Sequence, residues 1–393
     1  CDGLDFEQST AELWWGAKAS QANGGFVQEF FYYLLWPSNT GTQRRVNALD
    51  KIHNCLDLLE ADGLVQGNSL REIYGDNVKF ICGYEAGCLG YSLYHQLTDH
   101  GLECKILAPT TMGITNTNKV KTDRKDAANI ARCLAFHTYS EVYVPDKHDN
   151  AVKEYIRMRD DHKGMLKKIK QQIHAMVLRS GEKYDTGKST WTIAHLKWLR
   201  SLDLGEMENE TLAEYLITYE YLTEKIERLD ARIEELAGDE RYQEKVKNIS
   251  CLIGIKTHTA LSMVVEIGDF KRFEKANKLS AFLGLIPKEH SSSNDINRFS
   301  ITKAGNSHLR KLMVEAAQNY TKGAIGQKSK DLKRRQAACS PEVIAYADKA
   351  NERLKRRFYR MTLSNGTKRN VAVTAVAREL TCFVWGLATG NIY

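Results

Sequence analysis

The sequence predicts an α/β N-terminal domain, a helical coiled coil and a mainly α-helical C-terminal domain. Three observations carry this prediction: strand-helix-strand alternation before residue 110, an apolar repeat over 212–236, and a succession of helical segments beyond residue 246. A chain of 393 residues is long enough for two or three domains. We therefore expect domains over 1–148, 149–245 and 246–393.

The N-terminal part alternates between strand and helix patterns. Residues 78–84 form an apolar run typical of a buried strand, leucines recur every fourth residue over 89–97, and 105–108 is a second apolar run. A strand, a helix and a strand in this order imply parallel pairing of the two strands. Ligands of such sheets bind at the carboxyl ends of the strands, which is where Glu85 falls. Asp5 lies in another short strand-like segment.

Two further acids open a predicted helix. Asp123 and Asp126 are three residues apart, a spacing that places both carboxylates on one helix face, where they repel each other. A divalent cation would remove this repulsion, and Mg²⁺ binds carboxylates together with phosphate oxygens. The neighbouring Lys121, Arg124 and Lys125 suit a polyanion. The alternative is a solvated helix start whose acids are favoured by the helix dipole.

The middle of the chain predicts two long helices. Residues 151–180 are helical and basic, with Lys163 and Lys167 away from the apolar positions. Apolar residues over 212–236 alternate steps of three and four, the repeat of a coiled-coil seam, and charged residues flank them. The alternative is an amphipathic helix that packs on its own domain.

The positive charge is concentrated at the C-terminal end. The whole chain has a formal net charge of +7, whereas residues 301–393 hold 18 Lys and Arg against 6 Asp and Glu. This distribution indicates a nucleic-acid partner, the alternative being a basic soluble domain. The sequence assigns part of this surface to Lys303 and Arg310, and extends it with Lys311, Arg334, Arg335, Arg353, Arg356 and Arg357.

Other classes of protein are not indicated. No apolar run approaches the roughly 18 residues of a membrane-spanning helix, and no signal peptide is recognisable. Nine dispersed cysteines without zinc-site spacing favour a reducing cytoplasm. Residues 181–189 imitate a phosphate-binding loop, but five residues instead of four separate the two glycines, and no strand precedes them.

Several runs together resemble one family, the insertion-sequence transposases of the IS-one-ten group, which includes Piv-type DNA invertases and bridge-RNA-guided recombinases. The resemblance covers most of the chain, from Asp5 to about Ala317. The runs are Gly3-Leu4-Asp5, Tyr84-Glu85-Ala86-Gly87, Lys121 to Ala127, Gly284-Leu285-Ile286-Pro287, Ser291-Ser292, and Thr302-Lys303-Ala304-Gly305-Asn306.

The resemblance implies an RNase H-like (RuvC-like) N-terminal domain whose tetrad binds Mg²⁺, a coiled coil, and a C-terminal transposase domain with a nucleophilic serine. The tetrad would be Asp5, Glu85, Asp123 and Asp126. By position after Pro287 the serine corresponds to Ser292, with Ser291 as the alternative.

The resemblance also implies partners: donor and target DNA, a non-coding bridge RNA that selects them, and a homodimer or homotetramer with shared active sites. The chain departs from the family where Ser292-Ser293 replaces Ser-Gly and where Gly254-Ile255-Lys256 replaces Gly-Ile-Gly. Two other functions fit the residues: a RuvC-type metal-dependent junction nuclease, and a non-catalytic RNA- or DNA-binding coiled-coil protein.

Overall fold

The computed structural model describes residues 81–87, 90–99, 101–112, 123–185, 189–289 and 298–392. The chain divides into two compact units, 1–144 and 145–393. The described part is mostly helical.

The first unit contains the predicted strand-helix-strand arrangement. Strand β1 (Ile81–Glu85) pairs in parallel with β2 (Glu103–Leu107), and helix α1 (Ser92–Asp99) connects them. Helix α2 (Asp123–Phe136) packs against β1. The predicted parallel pairing is therefore confirmed.

Both faces of this short sheet are covered by apolar side chains, as expected for parallel strands. On one face Tyr84, Ile106 and Leu93 form a small core. Elsewhere in the unit, Leu107 of β2 packs with Ile130 of α2. Ile106 and Leu107 of β2 thus pack in two separate apolar clusters, which fixes the register of this strand.

The second unit begins with a long antiparallel pair of helices, the helical hairpin. It consists of α3 (Lys147–Arg179) and α5 (Glu206–Ala237), with the short α4 (Ile193–Arg200) between them. Ion pairs from Arg159 to Asp230 join the two helices in the half of the hairpin that is farther from α4. Nearer the turn, Lys170 Nζ lies 5.4 Å from the ring centre of Tyr219.

The apolar seam of α5 is buried inside this hairpin, which corrects the expectation of a stripe open to a partner helix. Leu222 and Leu229 are each 5% exposed, and α3 is the helix against which α5 packs most extensively. The 3-and-4 apolar repeat is present in α5, but the helix that covers it, α3, belongs to the same chain. Of the two interpretations of the sequence, the amphipathic helix packed on its own domain describes the structure.

The remaining elements form the C-terminal helical core. They are α6 (Gln243–Ile249), α7 (Thr257–Ile267), α8 (Ala276–Phe282), β3 (Pro287–Glu289), β4 (Arg298–Ile301), α9 (Ser307–Ala317), α10 (Lys330–Gln336), α11 (Pro341–Tyr359) and α12 (Arg369–Thr389). Strands β3 and β4 pair antiparallel.

The apolar core extends across the predicted domain boundary between residues 245 and 246, and this boundary falls inside α6. Val152 and Ile156 of α3 and Ile233 of α5 belong to the same apolar cluster as the C-terminal helices. The base of the hairpin therefore completes the C-terminal core, and the hairpin is not a separate domain. The predicted boundary after residue 148 falls inside α3.

One helix in the described part of the chain, α12, is long and apolar enough to cross a membrane by length and composition. Half of its most apolar window is buried, and it packs on α8, α9 and α11. Arg378 and Glu379 interrupt its apolar sequence, which is why no continuous run marks it. In this fold α12 is the central core helix.

Candidate active site

The predicted acids begin or end elements of the first unit. Glu85 is the last residue of β1, and Asp123 and Asp126 lie in the first turn of α2, three residues apart as expected. The approach of α2 to β1 is close: a Cβ added to Gly83 would lie 2.8 Å from Leu134 Cδ1. Asp5 lies outside the described residues.

The chemistry of this donor set suits a hard cation, because four carboxylates offer the oxygen ligands that Mg²⁺ prefers. Glu85 is the one tetrad member whose side chain is described, and it is half-buried. Within the described side chains, no group of three or more His, Cys, Asp or Glu could hold a metal ion. The resemblance to insertion-sequence transposases likewise implies a metal ion at this tetrad.

The serine-bearing segment is the connection between β3 and β4. Ser291 and Ser292 lie in this connection and outside the described residues. The structure describes where the connection starts and ends, since Pro287 pairs with Ile301 and Glu289 with Arg298. We call residues 282–289 and 298–306 the loop base.

Backbone hydrogen bonds join the two halves of the loop base. Thr302 N donates to Ile286 O at 2.9 Å, and Lys303 N donates to Gly284 O at 3.1 Å. Asn306 N donates to Phe282 O at 3.1 Å. The two sequence runs that flank the serines are thus one structural unit.

Two glycines make this close approach possible. Gly284 and Gly305 both have positive φ, 66° and 73°, which L side chains rarely adopt. A Cβ on Gly284 would lie 2.1 Å from Ala304 O, and a Cβ on Gly305 would lie 2.0 Å from Phe282 O. Any other residue at either position would push the two halves apart.

The predicted contact residues of this region have different surroundings. Lys303 is exposed and adopts a positive φ of 57° at the turn. Arg310 is half-buried, and its Nη1 donates to Leu283 O at 2.9 Å and to Ala304 O at 3.1 Å. Part of the Arg310 guanidinium therefore holds the loop base together.

Beside the loop base lies a largely buried group of charges that the sequence did not indicate, the ion-pair cluster. His308 of α9 lies between two carboxylates, with Nε2 2.8 Å from Asp160 Oδ2 and Nδ1 3.3 Å from Glu266 Oε1. His258 Nε2 lies 2.9 Å from Asp160 Oδ1. Arg157 donates two hydrogen bonds to Glu266, at 2.7 and 2.9 Å. The other members of the cluster are Arg159 and Asp230.

The pairing decides the ionisation of these groups. Burial by itself would raise the pKa of Glu266, but hydrogen bonds from His308, Arg157 and Asn306 lower it to about 2. Burial would also raise the pKa of Asp160, and its contacts with His258 and His308 lower it instead. Burial would lower the pKa of His308, yet its two carboxylate partners raise it to about 9. At neutral pH Glu266, Asp160 and His308 are therefore ionised.

A weak signal for this cluster exists in the sequence. Glu266 is an acid inside the apolar run Met263-Val264-Val265-Glu266-Ile267, where an unpaired carboxylate would be costly. Its partners, however, are Arg157 of α3 and Asn306 and His308 at the start of α9, all at least 40 residues away in the chain. Sequence spacing could not identify them.

The predicted nucleic-acid contacts on the hairpin face solvent. Lys163 and Lys167 are exposed on α3, and residues 163–179 hold five Lys and Arg and no acid. Arg124 and Lys125 lie in the first turn of α2, and Lys121 is outside the described residues.

Several arginines of the remaining expected basic surface also have partners within the protein. Arg353 and Arg357 both bind Glu379, and Arg334 binds Asp331. Arg335 donates to backbone carbonyls, including those of Ser250 and Leu252.

Comparison with known proteins identifies two domains in the chain. Residues 246–331 match the sequence model described as the transposase IS116/IS110/IS902 family, and residues 51–181 match the DEDD transposase domain of IS110 elements. The first match contains the loop base, and the second contains Glu85, Asp123 and Asp126. Asp5 lies outside both.

Relatives cover most of the chain. It is 34% identical over 305 residues to the putative transposase y4qE of Sinorhizobium fredii, covering 78% of this chain and 74% of that protein. It is 30% identical over 285 residues to the transposase for insertion sequence element IS1533 of Leptospira borgpetersenii, covering 70% and 80%. The chain therefore belongs to the IS116/IS110/IS902 family of transposases, enzymes that cleave and rejoin DNA.

Proposed function

We propose that this transposase cleaves and rejoins DNA through a covalent ester between Ser292 and a DNA phosphate, assisted by Mg²⁺ bound to an acidic tetrad. The observation that carries the proposal is the loop base. Two glycine turns and three backbone hydrogen bonds hold both ends of a serine-bearing connection in a domain that matches the transposase family.

The proposed reaction conserves the energy of the phosphodiester. The Ser292 hydroxyl oxygen attacks phosphorus and gives up its proton, the bond to one deoxyribose oxygen breaks, and that oxygen leaves as a hydroxyl. Rejoining reverses these events with a different DNA end, so no ATP is needed. Asp5, Glu85, Asp123 and Asp126 would hold Mg²⁺, which when bound stabilises the negative charge that develops on the phosphate.

The proposed partners are donor DNA, target DNA and a non-coding bridge RNA that selects both by base pairing. Exposed Lys163, Lys167 and Lys303 support contacts to phosphate backbones, because such contacts are electrostatic and independent of base sequence. Lys163, Lys167 and Lys168 are exposed within residues 163–179, which contain no acid, so this face of α3 suits a polyanion.

The experiment that tests the nucleophile is a search for a protease-sensitive protein–DNA adduct with Ser292→Ala. We expect the variant to bind nucleic acid and fold normally but to form no adduct and no recombinant. Ser300→Ala, an exposed serine on β4, is the matched control and should retain the adduct. If Ser292→Ala formed the adduct and Ser291→Ala did not, the nucleophile would be Ser291.

The same experiment separates the rival functions. Metal-dependent DNA hydrolysis that persists without any adduct in the wild type would favour a RuvC-type junction nuclease with water as the nucleophile. Binding without cleavage or strand exchange would favour a non-catalytic nucleic-acid-binding protein.

The metal site is tested by thermal stability, without reliance on activity. Added Mg²⁺ should raise the melting temperature of the wild type, because an ion that binds the folded state stabilises it. Glu85→Gln should abolish this increase while the fold survives, since the amide retains the shape of the side chain. Glu154→Gln, an exposed acid on α3, should respond like the wild type. Equal Mg²⁺ stabilisation of Glu85→Gln would exclude Glu85 from the site.

A further inference from the structure

The ion-pair cluster connects the loop base to the helical hairpin. Asn306 is the last residue of the loop base and caps α9, with its Oδ1 accepting from Leu309 N at 3.0 Å. Its Nδ2 donates to Glu266 Oε2 of α7 at 2.8 Å. Two residues later, His308 reaches Asp160 of α3. A continuous series of polar contacts therefore runs from the end of the loop base to the hairpin.

Three cations of this series, Arg157, Arg159 and the His308 imidazolium, face three carboxylates. Four helices contribute charged residues to this series. They are Lys153, Arg157, Arg159 and Asp160 of α3, Asp230 of α5, His258 and Glu266 of α7, and His308 of α9. Arg157 faces Glu266, Arg159 faces Asp230, and the His308 imidazolium joins Asp160 to Glu266. The Glu266 side chain is 4% exposed. Removing a single partner would leave a buried charge uncompensated, which is strongly unfavourable.

We propose that His308 is a positioning residue, which holds the loop base in a fixed orientation against α3 and α7 through Asp160 and Glu266. Buried ion pairs contribute little to net stability compared with apolar packing, and their best-attested role is to select one arrangement among several. Asp160 is also only three residues before Lys163. The exposed lysines of α3 would bind nucleic acid. Because His308 fixes the loop base against the same helix, the bound nucleic acid and the loop base would keep a fixed position relative to each other.

The inference rests on the proposed function where it concerns catalysis, but its structural part can be tested separately. In full-length His308→Gln, hydrogen exchange should accelerate at Lys303 N and Asn306 N, which donate to Gly284 O and Phe282 O. His162→Gln, on the partly exposed His162 of α3, is the control and should leave these amides protected. Unchanged protection in His308→Gln would overturn the proposal, whichever residue is the nucleophile.

The catalytic part predicts a separation of rate from binding. At saturating DNA, His308→Gln should form the adduct about 10–100-fold more slowly, a loss typical of slightly misplaced reacting groups. Its affinity for DNA should be unchanged, because Lys163 and Lys167 are untouched. A folded variant with a lower melting temperature but the wild-type adduct rate would show a purely structural role and overturn the proposal.

Two further variants keep the test informative if His308→Gln folds poorly. Adding Asp160→Asn removes one negative charge together with one positive charge, so the double variant should recover part of the rate. Asn306→Ser keeps a capping oxygen for α9 but loses the amide that reaches Glu266, and it should reproduce the slower reaction in a milder form. No adduct in the wild type would refute the proposed function and leave the exchange measurement to decide the positioning.

Discussion

Single residues of the ion-pair cluster control how stability depends on pH. His308 has its pKa raised from an ordinary 6.5 to about 9, so its stabilising contribution is fully present below pH 6.5 and is lost as the pH rises toward 9. The pKa of Glu266 is lowered from 4.5 to about 2, so its contribution is lost as the pH falls through that range.

We therefore predict that the free energy of unfolding declines between about pH 6.5 and 9 in the wild type and is flatter in His308→Gln. Denaturant titrations at several pH values measure this difference. His162→Gln should retain the slope of the wild type. Parallel curves for the wild type and His308→Gln would show that His308 is not the group responsible.

At the residue scale the sequence correctly predicted the positions that depend on local spacing. Asp123 and Asp126 begin a helix three residues apart, as predicted, and Glu85 ends a strand. His308 gave no such signal, because its role comes from Asp160 and Glu266, which lie 148 and 42 residues away in the chain. Glycines 284 and 305 were recognisable as a family pattern, but only the structure shows that they contact each other's segments.

At the scale of elements, the sequence predicted the helix α5 and its apolar stripe correctly but not the helix that covers the stripe. The 3-and-4 repeat of α5 specifies an apolar stripe and a long helix, but it does not specify which helix covers the stripe. In this chain α3 covers it, and Arg159 fixes the pairing through Asp230. An intramolecular partner needs no association, so the stripe is covered without a second copy of the chain.

This pairing changes the expected effect of substitutions in the seam. Leu222→Glu should unfold or loosen the hairpin, because an unpaired carboxylate would replace a side chain that is 5% exposed. Truncating a buried leucine already costs about 2–5 kcal/mol, so we expect a loss of stability at least that large.

Thermal unfolding followed by circular dichroism measures the effect of Leu222→Glu. Ile217→Glu, on the same helix but 58% exposed, is the matched control and should change the melting temperature little. If Leu222→Glu remained folded and stable but dissociated into smaller species, the seam would be an interface between copies of the chain, and the prediction would be wrong.

For the whole molecule, the sequence places the acids and the serine in different units. Asp123 and Asp126 belong to the first unit and Ser292 to the second. Transposition joins two DNA segments, so the catalytic groups could come from different copies of the chain, as the family resemblance implies.

Mixing two inactive variants tests this arrangement. Asp126→Asn and Ser292→Ala are each expected to be inactive, but a mixed oligomer can assemble one intact site from both chains and should regain adduct formation. Mass measurement establishes that mixed oligomers are present, and each variant alone is the control. No recovery in such a mixture would show that every chain supplies its own serine.

The sequence by itself determined what depends on local pattern: the parallel strand pair, the long helices, the helix start at Asp123 and the family. Helical and strand periodicity, turn glycines and charge spacing are all properties of neighbouring residues. Net charge likewise indicated a nucleic-acid partner, although it could not show which arginines bind Asp and Glu of the same chain.

The tertiary structure alone decided which surfaces and charges find partners within the chain. It buried the seam of α5 against α3, joined the base of the hairpin to the C-terminal core, and paired Arg353 and Arg357 with Glu379. It also assembled the ion-pair cluster from four helices beside the loop base. These outcomes depend on contacts between residues distant in sequence, because burial and charge pairing are settled by the packing of whole elements and not by the order of residues within one.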